Sequence, residues 1–270
     1  MLVCTLGDLV LDVVVRLDAP LAPGDDVAAQ TTVGPGGQAA NVAAWAAALG
    51  ARARFVGVLA EDGPGRLAAE GLARHGVELC GPRLAGPGGV VVSLVSPNGE
   101  RALVSDRGAA AGLRAGDVDP AWLEDCDHLH VSGYALAAEP ARTAARRAVE
   151  LARARGARVS VDLAAASVLA AIGHPLELLA GLAPDAVFCT ELEERTLGGR
   201  LAGAAWIVKR GARGASFDGD ERSALPVERA VDATGAGDAL AAGWIVGGPE
   251  LALEAAARCV ARQGAMPPLA

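Results

Sequence analysis

The sequence predicts an α/β fold: a mostly parallel sheet with helices on both faces, and a small antiparallel sheet beside it. Two observations point to it. Short apolar runs alternate with helical stretches along most of the 270 residues, as in chains of βαβ units. Residues 89–105 interrupt that rhythm with two strand-like runs around Pro97-Asn98-Gly99-Glu100, and Asn-Gly between such runs is a strong hairpin signal.

Taken in order, residues 2–6 are an apolar run that stops at Gly7-Asp8, as a buried parallel strand does. Residues 9–17 continue with β-branched side chains that alternate loosely. The period then changes within residues 36–49, where Asn41 to Leu49 is Ala-rich and helical and Gly50 suits the position after a helix end. Residues 54–59 read as a strand. Asp62-Gly63-Pro64 opens a helix with Pro in its first turn, which runs to His75 and stops at Gly76. The strand-like stretch 12–33 joins the hairpin 90–95/101–105 in the small sheet. Further strands are expected at 127–132, 158–162, 186–189 and 205–209. Helices are expected at 140–155, closed by Gly156, at 176–182, from Ala236, and at 251–263. The chain reads as one domain over 1–270, with 12–33 and 89–105 inserted as the small sheet. Ligands of such sheets bind at the C-terminal ends of the strands.

Composition narrows the function. Hydrophobic residues make up 52% and aromatic ones 3%, so the core is built from Ala, Val and Leu. A formal net charge of -8 argues against nucleic acid or an anionic membrane as the main partner, while a local basic patch could still hold a nucleotide. Cys4, Cys80, Cys126, Cys189 and Cys259 are scattered, odd in number and without metal-ligand spacing. They are expected as small buried residues in a reducing cytoplasm. The N-terminal residues lack a basic segment and read as a strand rather than a signal peptide. The longest apolar candidate, 239–248, is too short to span a bilayer.

The run Asp232-Ala233-Thr234-Gly235-Ala236-Gly237-Asp238 precedes a helical stretch. Small residues there bring backbone N–H groups to the positive helix end, a site for a phosphate-like anion. A carboxylate at Asp238 cannot pair with that anion, but it can take a proton from a nucleophile attacking it. Turn and carboxylate together point to phosphoryl transfer. In Gly34-Pro35-Gly36-Gly37-Gln38-Ala39-Ala40-Asn41, the glycines let backbone approach a ligand, and the Asn41 amide can both donate to and accept from a hydroxyl. In Gly7-Asp8-Leu9-Val10-Leu11-Asp12, Asp8, Val10 and Asp12 share one strand face.

These runs resemble the two signatures of the ribokinase-like (PfkB) sugar kinase family, and the resemblance extends from Gly7 to Ala265. It implies a three-layer α/β/α sandwich whose small sheet is a lid. It implies Asp238 as general base, with Gly235, Ala236 and Gly237 as the anion hole. Gly36, Gly37 and Asn41 would line a sugar site, and Asp12 would clamp sugar hydroxyls. Arg107 stands near where relatives place an Arg toward acidic or furanose sugars, and also fits an exposed loop residue. Thr190 and Glu193 fall on an Asn-x-x-Glu pattern whose Glu holds Mg2+ through water, with Thr190 in place of Asn. Lys209-Arg210-Gly211-Ala212-Arg213-Gly214 matches a Gly-x-x-Gly nucleotide turn, giving Lys209, Gly211, Arg213 and Gly214 as nucleotide contacts. Asp232 and Thr234 match residues that help bind a monovalent cation, so potassium joins ATP and Mg2+ among the implied cofactors. His128 and His130 are expected as structural side chains rather than metal ligands. The implied activity is ATP-dependent phosphorylation of a hydroxyl on a small sugar or sugar derivative. A nucleoside kinase and a non-catalytic sugar- or nucleotide-binding relative are the alternatives. Lid sheets in the family often pair into homodimers.

Overall fold

The structure, a computed structural model, describes residues 1–98 and 100–269. The chain begins β1 (Leu2–Leu6), β2 (Val10–Leu17), β3 (Ala29–Gly36), α1 (Gln38–Ala48), β4 (Arg52–Val56), β5 (Leu59–Ala60), α2 (Gly63–Ala73), β6 (Val77–Cys80) and β7 (Arg83–Leu84). It continues β8 (Gly89–Val95), β9 (Arg101–Asp106), β10 (His128–Ser132), α3 (Gly133–Leu136), α4 (Ala141–Arg153), β11 (Arg158–Asp162), α5 (Ala166–Ala171) and α6 (Pro175–Leu182). It closes with β12 (Ala186–Thr190), α7 (Glu191–Leu197), β13 (Ala205–Lys209), β14 (Ala215–Phe217), β15 (Asp220–Arg222), α8 (Ala236–Gly247) and α9 (Pro249–Val260).

Nine strands form the main sheet in the order β15-β14-β13-β12-β11-β10-β1-β4-β6, and β5 and β7 pair separately. Pairing is parallel from β13 to β6, with β14 and β15 antiparallel at one edge. The β1 side chains alternate between two cores. Leu2, Cys4 and Leu6 join the cluster that holds α4 and α6 residues such as Ala144, Ala148 and Leu179. Val3 joins Trp45, Leu72, Leu240 and Leu253 on the other face. This is the two-sided covering expected of a parallel sheet. Cys4, Cys126, Cys189 and Cys259 are buried and Cys80 half-buried, all as free thiols. No helix among the described residues is long and apolar enough to cross a membrane.

The sequence expectations need four corrections. The small sheet runs β3-β2-β8-β9, and its central pair β2–β8 is parallel, so it is mixed rather than antiparallel. Two antiparallel pairs, β2–β3 and β8–β9, meet along that seam. Gly99, at the expected hairpin turn, lies outside the described residues. The strand expected at 54–59 ends at Val56. A Cβ at Gly57 would stand 2.4 Å from the Gly7 carbonyl oxygen, so the chain can pass there only as glycine. The last helix begins at Pro249 and ends at Val260. The short strands β5, β6, β7, β14 and β15 and the helices α3 and α5 stand outside the sequence expectations.

His128 and His130 are structural, as expected. Both rings bond Ser160 Oγ at 2.8 Å, and His130 packs edge-on to Phe188 at 5.6 Å. Burial pushes their pKa values down to about 3 and about 4. The folded chain therefore holds both rings neutral where the unfolded chain, with histidines near 6.5, is protonated. The stability they contribute is present above pH 6.5 and lost as pH falls toward 4 and 3. We expect the melting midpoint to drop steeply between pH 6.5 and 4. His130→Gln, at fixed pH below 5, should recover part of that loss in a calorimetric pH series.

Candidate active site

The site lies along the C-terminal ends of the parallel strands, where α/β sheets bind ligands. Asp8 follows β1, Asp162 ends β11, Thr190 ends β12 and Lys209 ends β13. From the opposite face, α1 brings Asn41 and α8 brings Asp238, the third residue of its helix.

Asp238 and Asn41 stand 197 residues apart in sequence, yet Asn41 Nδ2 donates to Asp238 Oδ2 at 2.7 Å. Desolvation pushes the Asp238 carboxyl up to about 7. The Asn41 bond and the Lys209 charge pull the other way, while Asp162 adds to the rise. Asn41 Oδ1 is buried with no partner among the described residues, so one acceptor of this amide is left unused. Because the Asn41 bond favours the charged carboxylate, Asn41→Ala should raise the Asp238 pKa further. The expected result is an acid limb of turnover displaced above its wild-type pH, read from a pH–rate profile.

The turn ahead of α8 is fixed by packing. Gly235 has φ +76 and a Cβ there would lie 2.5 Å from Ala265 Cβ. Ala265 is itself anchored by the Trp45 indole N–H to its carbonyl at 2.8 Å. Of the three N–H groups expected to form an anion hole, that of Ala236 already has the Ala233 carbonyl as acceptor at 3.3 Å. The turn thus engages one of the three amides itself. Asp232 shapes the turn from behind. Its Oδ1 accepts from Thr234 N (2.9 Å) and Thr234 Oγ1 (2.5 Å), and its Oδ2 accepts from Gly264 N at 3.2 Å. Arg16 of β2 lies 3.7 Å from the same carboxylate. Both oxygens thus receive donors, and a guanidinium neighbours them.

On the lid side, β2 and β3 pair Asp12 with Gly34. A Cβ at Gly36 would fall 2.1 Å from the Asp12 carboxyl carbon, so glycine there makes room for that side chain. Desolvation pushes the Asp12 pKa up to about 6. Gly37 has φ +103, and a Cβ would meet the Asp8 carbonyl oxygen at 2.3 Å. Gln38 accepts from Ser132 Oγ at 2.6 Å. Arg107, expected toward the sugar or as an exposed loop residue, pairs with a carboxylate. Its Nε and Nη2 bond Asp8 at 2.5 and 2.8 Å, and Nη2 also donates to Tyr134 O at 3.1 Å. Val33, Leu103 and Val104 are exposed on the outer lid strands.

On the other side, Thr190 and Glu193 form a reciprocal cap on α7. Thr190 N donates to Glu193 Oε2 at 2.7 Å and Glu193 N to Thr190 Oγ1 at 3.3 Å. Glu193 is buried by this, not solvated. Arg213 is largely exposed and paired with Glu191, as is Arg210. Gly211 and Gly214 have φ +59 and +95, and a Cβ at Gly214 would lie 2.0 Å from Arg222 O. Lys209 turns inward to Asp162 at 2.7 Å. Asp162, Asp8 and Tyr134 were missed as parts of this site. The legible signal was an Asp at the C-terminal end of an apolar strand.

Comparison with known proteins identifies the family and the fold. The model of the pfkB family carbohydrate kinases matches residues 1–266. An ATP-dependent ribose-1-phosphate kinase of Halopiger xanaduensis is 33% identical over 97% of this chain and 93% of its own. A fructokinase of Escherichia coli is 31% identical over 91% and 83%. A solved putative ribokinase II from E. coli in complex with ATP and Mg2+ superposes with a TM-score of 0.82, at 25% identity over 98% and 94%. The chain belongs to the pfkB family of carbohydrate kinases, and its fold is the ribokinase-like one.

Proposed function

We propose that this protein phosphorylates a hydroxyl of a small sugar or sugar derivative with ATP, using Asp238 as general base. The observation that carries the proposal is the 2.7 Å bond from Asn41 to Asp238. It brings the Gly-Gly-x-x-x-Asn motif and the Gly-Ala-Gly-Asp motif to one point, beside the small-residue turn that opens α8. The sugar is read as lying between Asp12, Gly37 and Asn41, beneath β2 and β3. With its pKa near 7, Asp238 is poised to take the hydroxyl proton at physiological pH. The N–H groups of Gly235 and Gly237, at the positive end of α8, are read as stabilising charge on the transferring group. Lys209 and the Gly211–Gly214 turn are read as the nucleotide side; Arg213, paired with Glu191 at the surface, keeps at most a rim contact.

Among the described residues, no three His, Cys, Asp or Glu side chains are grouped to hold a metal ion. Magnesium keeps waters and rides on nucleotide phosphates; Glu193 is read as the carboxylate that would meet it through water. When bound it would neutralise phosphate charge. Potassium has no part in the proposal.

The test is acceptor-dependent ADP release with MgATP across sugars, sugar phosphates and nucleosides, beginning with ribose-1-phosphate and fructose, the substrates that the relatives' names suggest. A sugar-dependent signal that Asp238→Asn abolishes supports the reading. A nucleoside as sole acceptor would move the assignment to the nucleoside kinase. Ligand-induced thermal stabilisation without turnover would move it to the non-catalytic relative.

A further inference from the structure

We propose that Asp162 is a positioning residue for phosphoryl transfer: it holds the Lys209 ammonium beside the anion-hole turn, where that ammonium contacts the transferring phosphoryl group. The proposal rests on the kinase reading above and adds a residue that neither signature motif contains. Asp162 is fully buried and its Oδ2 accepts from Lys209 Nζ at 2.7 Å, while the lysine side chain is 14% exposed. The other carboxylate oxygen accepts from Ala164 N at 3.0 Å, and Ala164 itself has φ +66. The carboxylate is thus held at both oxygens. The lysine lies against the turn: a Cβ on Gly237 would be 3.2 Å from Lys209 Cδ and 3.4 Å from Nζ. Gly237 leaves that approach open.

Charge around the ammonium points the same way. Burial works against its charge, and Asp162, Glu193 and Asp238 outweigh that and hold its pKa above the ordinary value. Three carboxylates thus face one ammonium, in a place that must accept a polyanion. A buried ion pair is weak evidence for stability, since an apolar pair of similar volume serves as well or better. Its presence at the mouth of the anion turn is explained if the ammonium is needed there and Asp162 keeps it from swinging toward Asp238 or Glu193. A compact ammonium with three donors suits phosphate oxygens as a point charge.

The experiment is a double-mutant cycle in the full chain on the acceptor found by the panel: Asp162→Asn, Lys209→Met and both together, with kcat and both KM values. Lys209→Met should lose on the order of 100-fold in kcat, the usual share of one donor aimed at developing charge. Asp162→Asn should lose about 10- to 100-fold through misplacement, with acceptor KM within a few-fold. The double variant should be no slower than Lys209→Met alone, because Asp162 acts only through the lysine. It also leaves neither member of the Asp162–Lys209 pair buried alone, so it remains informative if Asp162→Asn folds poorly. Losses that multiply in the double variant, or wild-type kcat in either folded single variant, would overturn the proposal. If Asp238→Asn also turned over at the wild-type rate, the reading of Asp238 as general base would fail. An Asp238→Asn loss without a Lys209→Met loss would remove this inference alone.

Discussion

Asp238→Asn is expected to lose at least about 100-fold in turnover, the usual share of general base catalysis, and to melt higher than the wild type at pH 8. Both effects have one origin. The folded Asp238 pKa is about 7, against 3.8 for the free side chain. Between those values the native chain keeps a proton that the unfolded chain has released. Stability from this group is therefore fully present below about 3.8 and is lost as pH rises through 7. At pH 8 the wild type carries a desolvated carboxylate; the amide does not, and can still accept from Asn41 Nδ2. The gain is on the order of 2–4 kcal/mol, several degrees in melting midpoint for a chain of this size. It should shrink as the scan moves from pH 8 to pH 6. Nucleotide affinity, measured by calorimetry, should stay within a few-fold. A variant slower but not more stable at pH 8 would mean that the carboxyl is not strained by burial.

Gly235→Ala is the second large effect. An Ala at φ +76 costs roughly 1–2 kcal/mol in the left-handed region. Its Cβ would also stand 2.5 Å from Ala265 Cβ and 2.6 Å from Ala265 Cα. Ala265 cannot easily yield, because Trp45 Nε1 holds its carbonyl. The turn must shift instead, and with it the Gly237 N–H and Asp238. We expect about 2–4 kcal/mol of lost stability and more than about 10-fold lost turnover. Gly198→Ala is the control: its φ is +74 with no atom near the added Cβ. It should lose only about 1 kcal/mol and keep its turnover. Equal effects in the two variants would show that strain alone, not the packing against Ala265, decides.

Local chemistry was legible in the sequence wherever one segment contains the whole cause. Asp62-Gly63-Pro64 announced α2, and Asp62 does cap it, accepting from Gly65 N at 2.9 Å. Gly50 and Gly156 end their helices with φ +93 and +79. The small residues before α8 and the Asp in its first turn stand where the motif placed them. What failed depends on partners distant in sequence. The parallel β2–β8 seam joins segments some 80 residues apart, and periodicity does not encode which edge meets which. Arg107 gives no sign in its own segment of the partner it takes, because Asp8, which receives two of its nitrogens, lies 99 residues away. Lys209 was read as a nucleotide contact without its anchor, because Asp162 is 47 residues back on the strand beyond β12. Residue type likewise does not tell that the Ala236 N–H has an acceptor, the Ala233 carbonyl, within its own turn.

The most direct test of Asp238 as the base is the pH dependence of kcat/KM for the acceptor, in wild type and in Asp238→Asn. The expected wild-type profile falls on the acid side with a midpoint near 7, and the residual activity of the variant lacks that limb. A wild-type profile flat from pH 5.5 to 8, or an acid limb that survives unchanged in Asp238→Asn, would contradict the assignment.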